Sequence, residues 1–282
     1  MIALDEPTFR RIATVLHDEA GIHLQPSKAA MIRARLRRRL RMLGLTDYAD
    51  YCDLLDAAGT AGSSERRELV NALTTNVTGF FREPHHFDAI AADARARMHH
   101  QIERPYGLWS AGSSDGSEAV SAVLAIAEAV PTLDPKRLRV LATDIDDEAM
   151  AAVARGRYPG TALPPDRTVR HAGALDQHTD GTFGLAARLR PCIELRRHNL
   201  VGDRPVQAQF DVVLCRNVMI YFDDATKARV QRDLIRAVRP GGMLCLGHSE
   251  RLLKGEPGER DMQRIGTTCY RRDDSGRSLR CQ

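Results

Sequence analysis

Residues 107–120, GLWSAGSSDGSEAV, run from a short apolar strand through a Gly/Ser loop into an Ala-rich apolar helix that extends from Glu118 to Val130. Residues 137–144, RLRVLATD, read as a second strand ending on an acid, and Asp147–Arg155 as the next helix. Further on, FDVVLC (210–215) and MLCLG (243–247) read as buried strands separated by a helix from Ala225 to Val238, closed by an Arg-Pro-Gly-Gly turn. Strands alternating with helices at this spacing predict an α/β fold, a Rossmann-like, mainly parallel doubly wound sheet. Between Tyr158 and Leu200, prolines, glycines and short alternating segments replace the helical period, which predicts a small antiparallel β insertion over about 158–198.

The first strand–loop–helix unit has a binding chemistry of its own. In doubly wound folds the glycines after the first strand let a ligand approach the backbone. A carboxylate at the end of the second strand accepts hydrogen bonds from ribose hydroxyls. Gly112 and Gly116 supply the turn here and Asp144 the acid. The dinucleotide pattern G-x-G-x-x-G is absent, so the loop suits a ligand without a pyrophosphate, such as S-adenosylmethionine. The plainer alternative is an ordinary strand-to-helix turn.

Upstream, the first hundred residues read as helices. Phe9, Ile12 and Leu16 follow Pro7 at helical spacing up to Gly21, and Ser27 to Gly44 carries the apolar stripe Ile32, Leu36, Leu40 and Leu43. Thr46 and Ser64 open two shorter helices, and Pro84 begins one through Phe87, Ile90 and Met98. The organisation expected is a helical N-terminal domain at 1–105, an α/β domain at 106–272 and a frayed tail at 273–282.

With 282 residues, 43% hydrophobic and 28% charged, the composition is that of an ordinary globular protein. No apolar run approaches the roughly 18 residues of a membrane span. The expectation is a cytoplasmic monomer. The net charge of +4 is too small to mark a nucleic-acid binder, but it is unevenly spread. Lys28, Arg33, Arg35, Arg37, Arg38, Arg39 and Arg41 crowd the segment from Pro26 to Leu45, which has no acid, so the rest of the chain is slightly negative. A solvated helix face and a docking surface for an acidic partner both fit that pattern. Interleaved aromatics and a phosphate loop, which nucleic acid would call for, are missing.

The six cysteines form no C-x-x-C pair and read as buried reduced thiols. His85–His86 and His99–His100 lack the i, i+4 spacing of helical ligands, so no metal is expected.

Three other segments are unusual. LTTNVTGFFREPHHF (73–87) puts small polar groups, aromatics and an arginine at a domain junction, where a bland linker would be plainly hydrophilic. FDVVLCRNVMIYF (210–222) places Arg216, Asn217 and Tyr221 just past a core strand, where ligands sit in open α/β sheets. GHSE (247–250) follows the last such strand.

Together with ATDID (142–146), HNL (198–200) and the W-S-A-G-x-S loop, these motifs closely resemble the chemotaxis receptor methyltransferases of the CheR type, from about Phe9 to Arg272. The resemblance implies S-adenosylmethionine-dependent methylation of receptor glutamates, with the cytoplasmic domain of methyl-accepting chemotaxis receptors as partner. It implies cofactor contacts from Asn76, Thr78, Arg82, Gly112, Glu118, Asp144, Asn199, Leu200, Arg216 and Asn217. Arg95 and Tyr221 would stand nearest the chemistry, with Arg97, two residues on, a rival for Arg95. Arg35, Arg38 and Arg39 would dock the acidic substrate, and the β insertion corresponds to a subdomain that docks a receptor tail in some members. One departure stands out: where the family has T-G-E-E-P-Y, this chain has Asp115-Gly116-Ser117-Glu118-Ala119-Val120. A catalytically weak cofactor-binding scaffold is the alternative this departure raises.

Overall fold

The computed structural model describes residues 4–99 and 104–274. Most of the expected tail, residues 275–282 with Cys281, lies outside the described residues.

Four helices open the chain: α1 (Glu6–Ala20), α2 (Ala29–Leu43), α3 (Tyr48–Asp56) and α4 (Gly59–Leu73). Asp5 caps α1 by accepting from the Thr8 N–H at 2.9 Å, and Gly21 ends it with a left-handed backbone. Gly44 ends α2 in the same way. The apolar stripes of these helices meet in one core built on Ile12, Leu16, Ile32, Leu36, Leu40 and Leu69. α4 begins ahead of Ser64. Gly62 permits this, because a Cβ there would lie 1.9 Å from the Ala57 carbonyl oxygen.

α5 (Pro84–His99) was expected with this helical unit, but it packs elsewhere. Its Phe87, Ile90, Ala94 and Met98 join the core formed by β1 (Tyr106–Ala111) and α6 (Ser117–Ala129). The packing therefore changes hands at the segment after Leu73, not near residue 105.

The main sheet continues with β2 (Leu138–Asp144) and, after α7 (Asp147–Arg155), an insertion. There β3 (Tyr158–Pro159), β4 (Leu175–Gln177) and β5 (Thr182–Leu185) form an antiparallel sheet in the order β3-β5-β4, with a short helix, α8 (Pro165–Arg170), between β3 and β4. The insertion is shorter than expected. β6 (Ile193–Arg197) pairs in parallel with β2 and forms the edge of the main sheet. β7 (Phe210–Cys215), α9 (Asp224–Ala237) and β8 (Val238–Leu246) follow, and β9 (Met262–Gly266) and β10 (Cys269–Arg272) close the chain.

The strand order is β6-β2-β1-β7-β8-β10-β9; the first five run parallel, β10 runs antiparallel to β8, and β9 runs antiparallel to β10. The Arg-Pro-Gly-Gly stretch read as a turn lies inside β8. A register shift against β7 between Phe210 and Val212 absorbs it, with Gly241 at φ +71°. Strand order reverses between β1 and β7, so the crevice at their carboxyl ends is the ligand position this topology creates. The described cysteines are buried and unbridged. No helix among the described residues is long and apolar enough to cross a membrane.

Candidate active site

A cavity of about 810 Å³ opens at the carboxyl ends of β1, β2 and β7, walled on the other side by α2 and the segment after α4. At the β1 end, Gly112 has φ +81°, and a Cβ there would strike Val218 at 2.4 Å. The Gly112 and Ser113 N–H groups both donate to the Thr143 carbonyl, at 2.9 and 2.8 Å. This ties the loop to the tip of β2. Ser114 N–H donates to Asp144 at 2.8 Å and Asp146 N–H donates to its other oxygen at 3.0 Å. Burial pushes the Asp144 carboxyl up against the opposing pull of these bonds. Asp144 lines the cavity, where a carboxylate can accept from hydroxyl donors.

Deeper in the wall, Glu118 is buried on the first turn of α6. It accepts from Ser110 Oγ at 2.7 Å and pairs with Arg216 Nη1 at 3.0 Å. Burial raises the Glu118 pKa, and the Arg216 charge opposes that. Arg216 also donates to the Arg82 carbonyl, and its guanidinium lies 5.5 Å over the Phe87 ring. The loop past β7 turns through Asn217 at φ +60°, held by Glu250. That carboxylate accepts from the N–H groups of Asn217, Val218, Ile220 and Gly247 at 2.6–3.3 Å. Tyr221 follows on the rim, where its carbonyl accepts from His23 N–H at 2.8 Å.

Residues 76–268 match the family described as CheR methyltransferase, SAM binding domain, and residues 7–74 match CheR methyltransferase, all-alpha domain. The chain belongs to the CheR methyltransferase family. It is 37% identical over 253 residues to the chemotaxis protein methyltransferase of Escherichia coli K12, covering 88% of this chain and 86% of that one. It is 38% identical over 253 residues to the Salmonella typhimurium protein of the same name, covering 88% and 85%. With chemotaxis protein methyltransferase 2 of Pseudomonas aeruginosa it shares 35% identity over 266 residues, covering 93% and 91%.

A CheR catalytic domain binds S-adenosylmethionine, and the donor set of this cavity fits that molecule. Asp144 offers acceptors for ribose hydroxyls. Glu118, Arg216 and Arg82 offer both signs of charge for an amino-acid head group. Asn76, Thr78, Arg82, Gly112 and Glu118 all line the cavity, as do Asp144, Asn199, Leu200, Arg216 and Asn217. Asn199 does so with its amide already committed: Nδ2 donates to the Glu19 carbonyl at 2.6 Å and Oδ1 accepts from Val201 N–H at 2.9 Å. It fixes α1 to the wall.

Tyr221 lines the same cavity, but Arg95 does not. Arg95 lies exposed on α5 with Nε donating to the Ala129 carbonyl at 3.1 Å, because the buried face of α5 packs on α6 and turns Arg95 along the end of that helix. Its rival Arg97 is equally remote, bonded to Asp93 at 2.9 Å and to the Gly241 carbonyl. Arg82 is the arginine of this region that reaches the cavity.

The three docking arginines divide as well. Arg39 makes a forked pair with the buried Glu65 (2.9 and 2.5 Å), which also accepts from Tyr51 OH at 2.9 Å. Arg35 donates to the Leu73 and Thr74 carbonyls at 2.9 and 2.6 Å, so it holds the junction segment. Only Arg38 of the three faces outward, its side chain 77% exposed, beside the exposed Arg37 and Arg41.

The altered loop stays clear of the cavity apart from Glu118. Asp115 accepts from Ser117 N–H at 2.9 Å, its carbonyl accepts from Tyr158 OH at 3.0 Å, and Ser117 is buried. The sequence reading missed Asp146 and Glu250, although both stand in quoted motifs, ATDID and GHSE. Their signal was a carboxylate beside a strand end, and neither spacing nor periodicity says that it serves the backbone.

Proposed function

We propose that this CheR chain methylates glutamate side chains of methyl-accepting chemotaxis receptors, using the ten cavity residues above to hold the cofactor. What supports the reading is that those ten residues and Tyr221 share one cavity wall. When bound, S-adenosylmethionine supplies a methyl group on a sulfonium cation.

The acceptor is a glutamate carboxylate, ionised at neutral pH because its ordinary pKa is near 4.3. No general base is needed. An anion meets a cation and charge is lost on the way to the ester, so positioning and exclusion of water carry the acceleration. Tyr221 at the rim donates one hydrogen bond to the acceptor carboxylate. Arg82 takes the place the sequence reading gave to Arg95 and holds the other oxygen through a single contact, since a forked pair would draw electron density from the attacking atom. Val77 and Ile220, both exposed at the cavity lining, offer apolar contact to a macromolecular substrate. Arg37, Arg38 and Arg41 would steer an acidic receptor helix. The confinement of Asp115 and Ser117 to the loop interior gives the scaffold alternative no support.

Membranes carrying receptors, incubated with the protein and methyl-labelled S-adenosylmethionine, should yield alkali-labile methanol. Intact binding of S-adenosylhomocysteine without such label would refute the reading.

A further inference from the structure

Behind the cavity wall, Glu83, His85 and His86 bring one ligating atom each to within 4.8 Å of the others. Their arrangement is not that of a helix face. Glu83 precedes α5 with a left-handed backbone at φ +57°, and its Oε2 comes within 3.6 Å of His86 Nδ1 in the first turn.

The second sphere fixes both imidazoles. His85 Nε2 lies 3.2 Å and His86 Nε2 3.3 Å from the same acceptor, the Thr267 carbonyl, with Thr268 Oγ1 3.1 Å from His86 Nε2. A carbonyl can only accept, so both rings donate through Nε2 and keep a lone pair on Nδ1. Histidines that bind metals are oriented in this way, with the far N–H on a backbone carbonyl.

His86 is fully buried, and its Nδ1 has no hydrogen-bond partner; neither has the buried Glu83 Oε2 that faces it. Arg216 Nη2, 3.6 Å from Glu83 Oε2, gives that oxygen a charge neighbour but no hydrogen bond, so the two facing acceptors leave a place for a cation that bonds both.

We propose that Glu83, His85 and His86 bind a divalent first-row transition cation of borderline softness, with Zn²⁺ the best match. Two imidazole nitrogens and one carboxylate oxygen, with a position left for water, are a zinc donor set, whereas Mg²⁺ and Ca²⁺ prefer oxygen throughout. Bonds of 2.0–2.2 Å put tetrahedral ligands about 3.4 Å apart, close to the 3.6 Å that already separates Glu83 Oε2 from His86 Nδ1. His248 donates through Nδ1 to Glu83 Oε1 at 3.2 Å, which orients the carboxylate. The α5 N-terminus and Arg216, 3.6 Å from Glu83 Oε2, oppose the ion and keep the site weaker than an unopposed one.

Zn²⁺ titrated into the metal-free full chain by calorimetry should bind one ion per chain. Co²⁺ should give the strong visible absorption of a tetrahedral complex. Loss of a second-sphere partner alone weakens metal sites roughly 10–100-fold, so His85→Ala and Glu83→Gln should each weaken binding at least that much. His85 is exposed, and the unchanged thermal midpoint of its metal-free variant separates ligand loss from misfolding. Absence of one-to-one binding, or wild-type affinity in both variants, overturns the proposal.

Discussion

Asn76 and Asp146 meet across the junction between the helical unit and the sheet, with Asn76 Nδ2 donating to Asp146 Oδ2 at 2.6 Å. The same oxygen accepts from Thr74 Oγ1 at 2.7 Å, and the other caps α7 through Glu148 N–H at 2.8 Å. One buried acid therefore sets the position of a cavity residue relative to the tip of β2.

Asp146→Ala should remove a helix cap and strand two donors, destabilising the protein by about 2–4 kcal/mol. Urea unfolding reads this directly. Affinity for S-adenosylhomocysteine should fall with it, because Asn76 loses its anchor, and an unchanged affinity would show that Asn76 is held by other means.

Among the described residues Glu250 has no charged partner, but it holds four backbone N–H groups, three in the loop that carries Asn217 and that of Gly247 past β8. Replacing the carboxylate by an amide turns one acceptor into a donor facing donors. Glu250→Gln should cost roughly 2–4 kcal/mol and weaken product-cofactor binding several-fold. Calorimetry and unfolding together separate the two effects.

Tyr221→Phe should lower kcat by roughly 10- to 100-fold, the worth of one hydrogen bond to a charged group, with cofactor affinity nearly intact. Equal losses in both quantities would mean that Tyr221 supports the cavity and does not touch the substrate.

Arg82→Ala and Arg95→Ala form a matched pair. The first should depress kcat/KM strongly; the second, on the far side of α5, should stay within about twofold of wild type. Steady-state methylation assays that reverse this order would return the role to Arg95.

His17 Nε2 lies 2.7 Å from Asp223 Oδ2 and joins α1 to the cap of α9. That hydrogen bond raises the His17 pKa, while the Thr226 N–H, followed by His17, holds Asp223 near 2. The folded protein thus favours protonated His17. Its contribution is complete below the unfolded imidazole value near 6.5 and is lost as pH rises through the raised folded value. Both side chains are more than a third exposed, so screening limits the effect to about 1 kcal/mol or less. The wild-type unfolding midpoint should fall relative to His17→Gln over about pH 6 to 8.

The alternation of apolar runs and helical periods was legible because burial on a sheet face and along a helix stripe imposes different periods. The strand ends bearing Gly112, Asp144 and Arg216 could therefore be placed from spacing alone, and the long motifs supplied the family. The β insertion was legible only as a break in that alternation. Its end was misjudged at β6, since a five-residue edge strand with one solvated face resembles any short alternating segment.

Sequence by itself determined the α/β class, the helical entry unit and the segments that build the cofactor wall, because these follow from local patterning and turn chemistry. Tertiary packing alone decided which members of one helix remain available. Arg35, Arg38 and Arg39 look alike in sequence, yet one holds the junction, one meets solvent and one neutralises a buried glutamate. Likewise Arg95 and Arg82 part company because the buried face of α5 is chosen by α6, and the lone pairs of Glu83 and His86 confront each other only because Thr267 arrives from a distant strand end. A charge or lone pair is free or spent according to what the fold brings opposite it, and that partner lies far away in the chain.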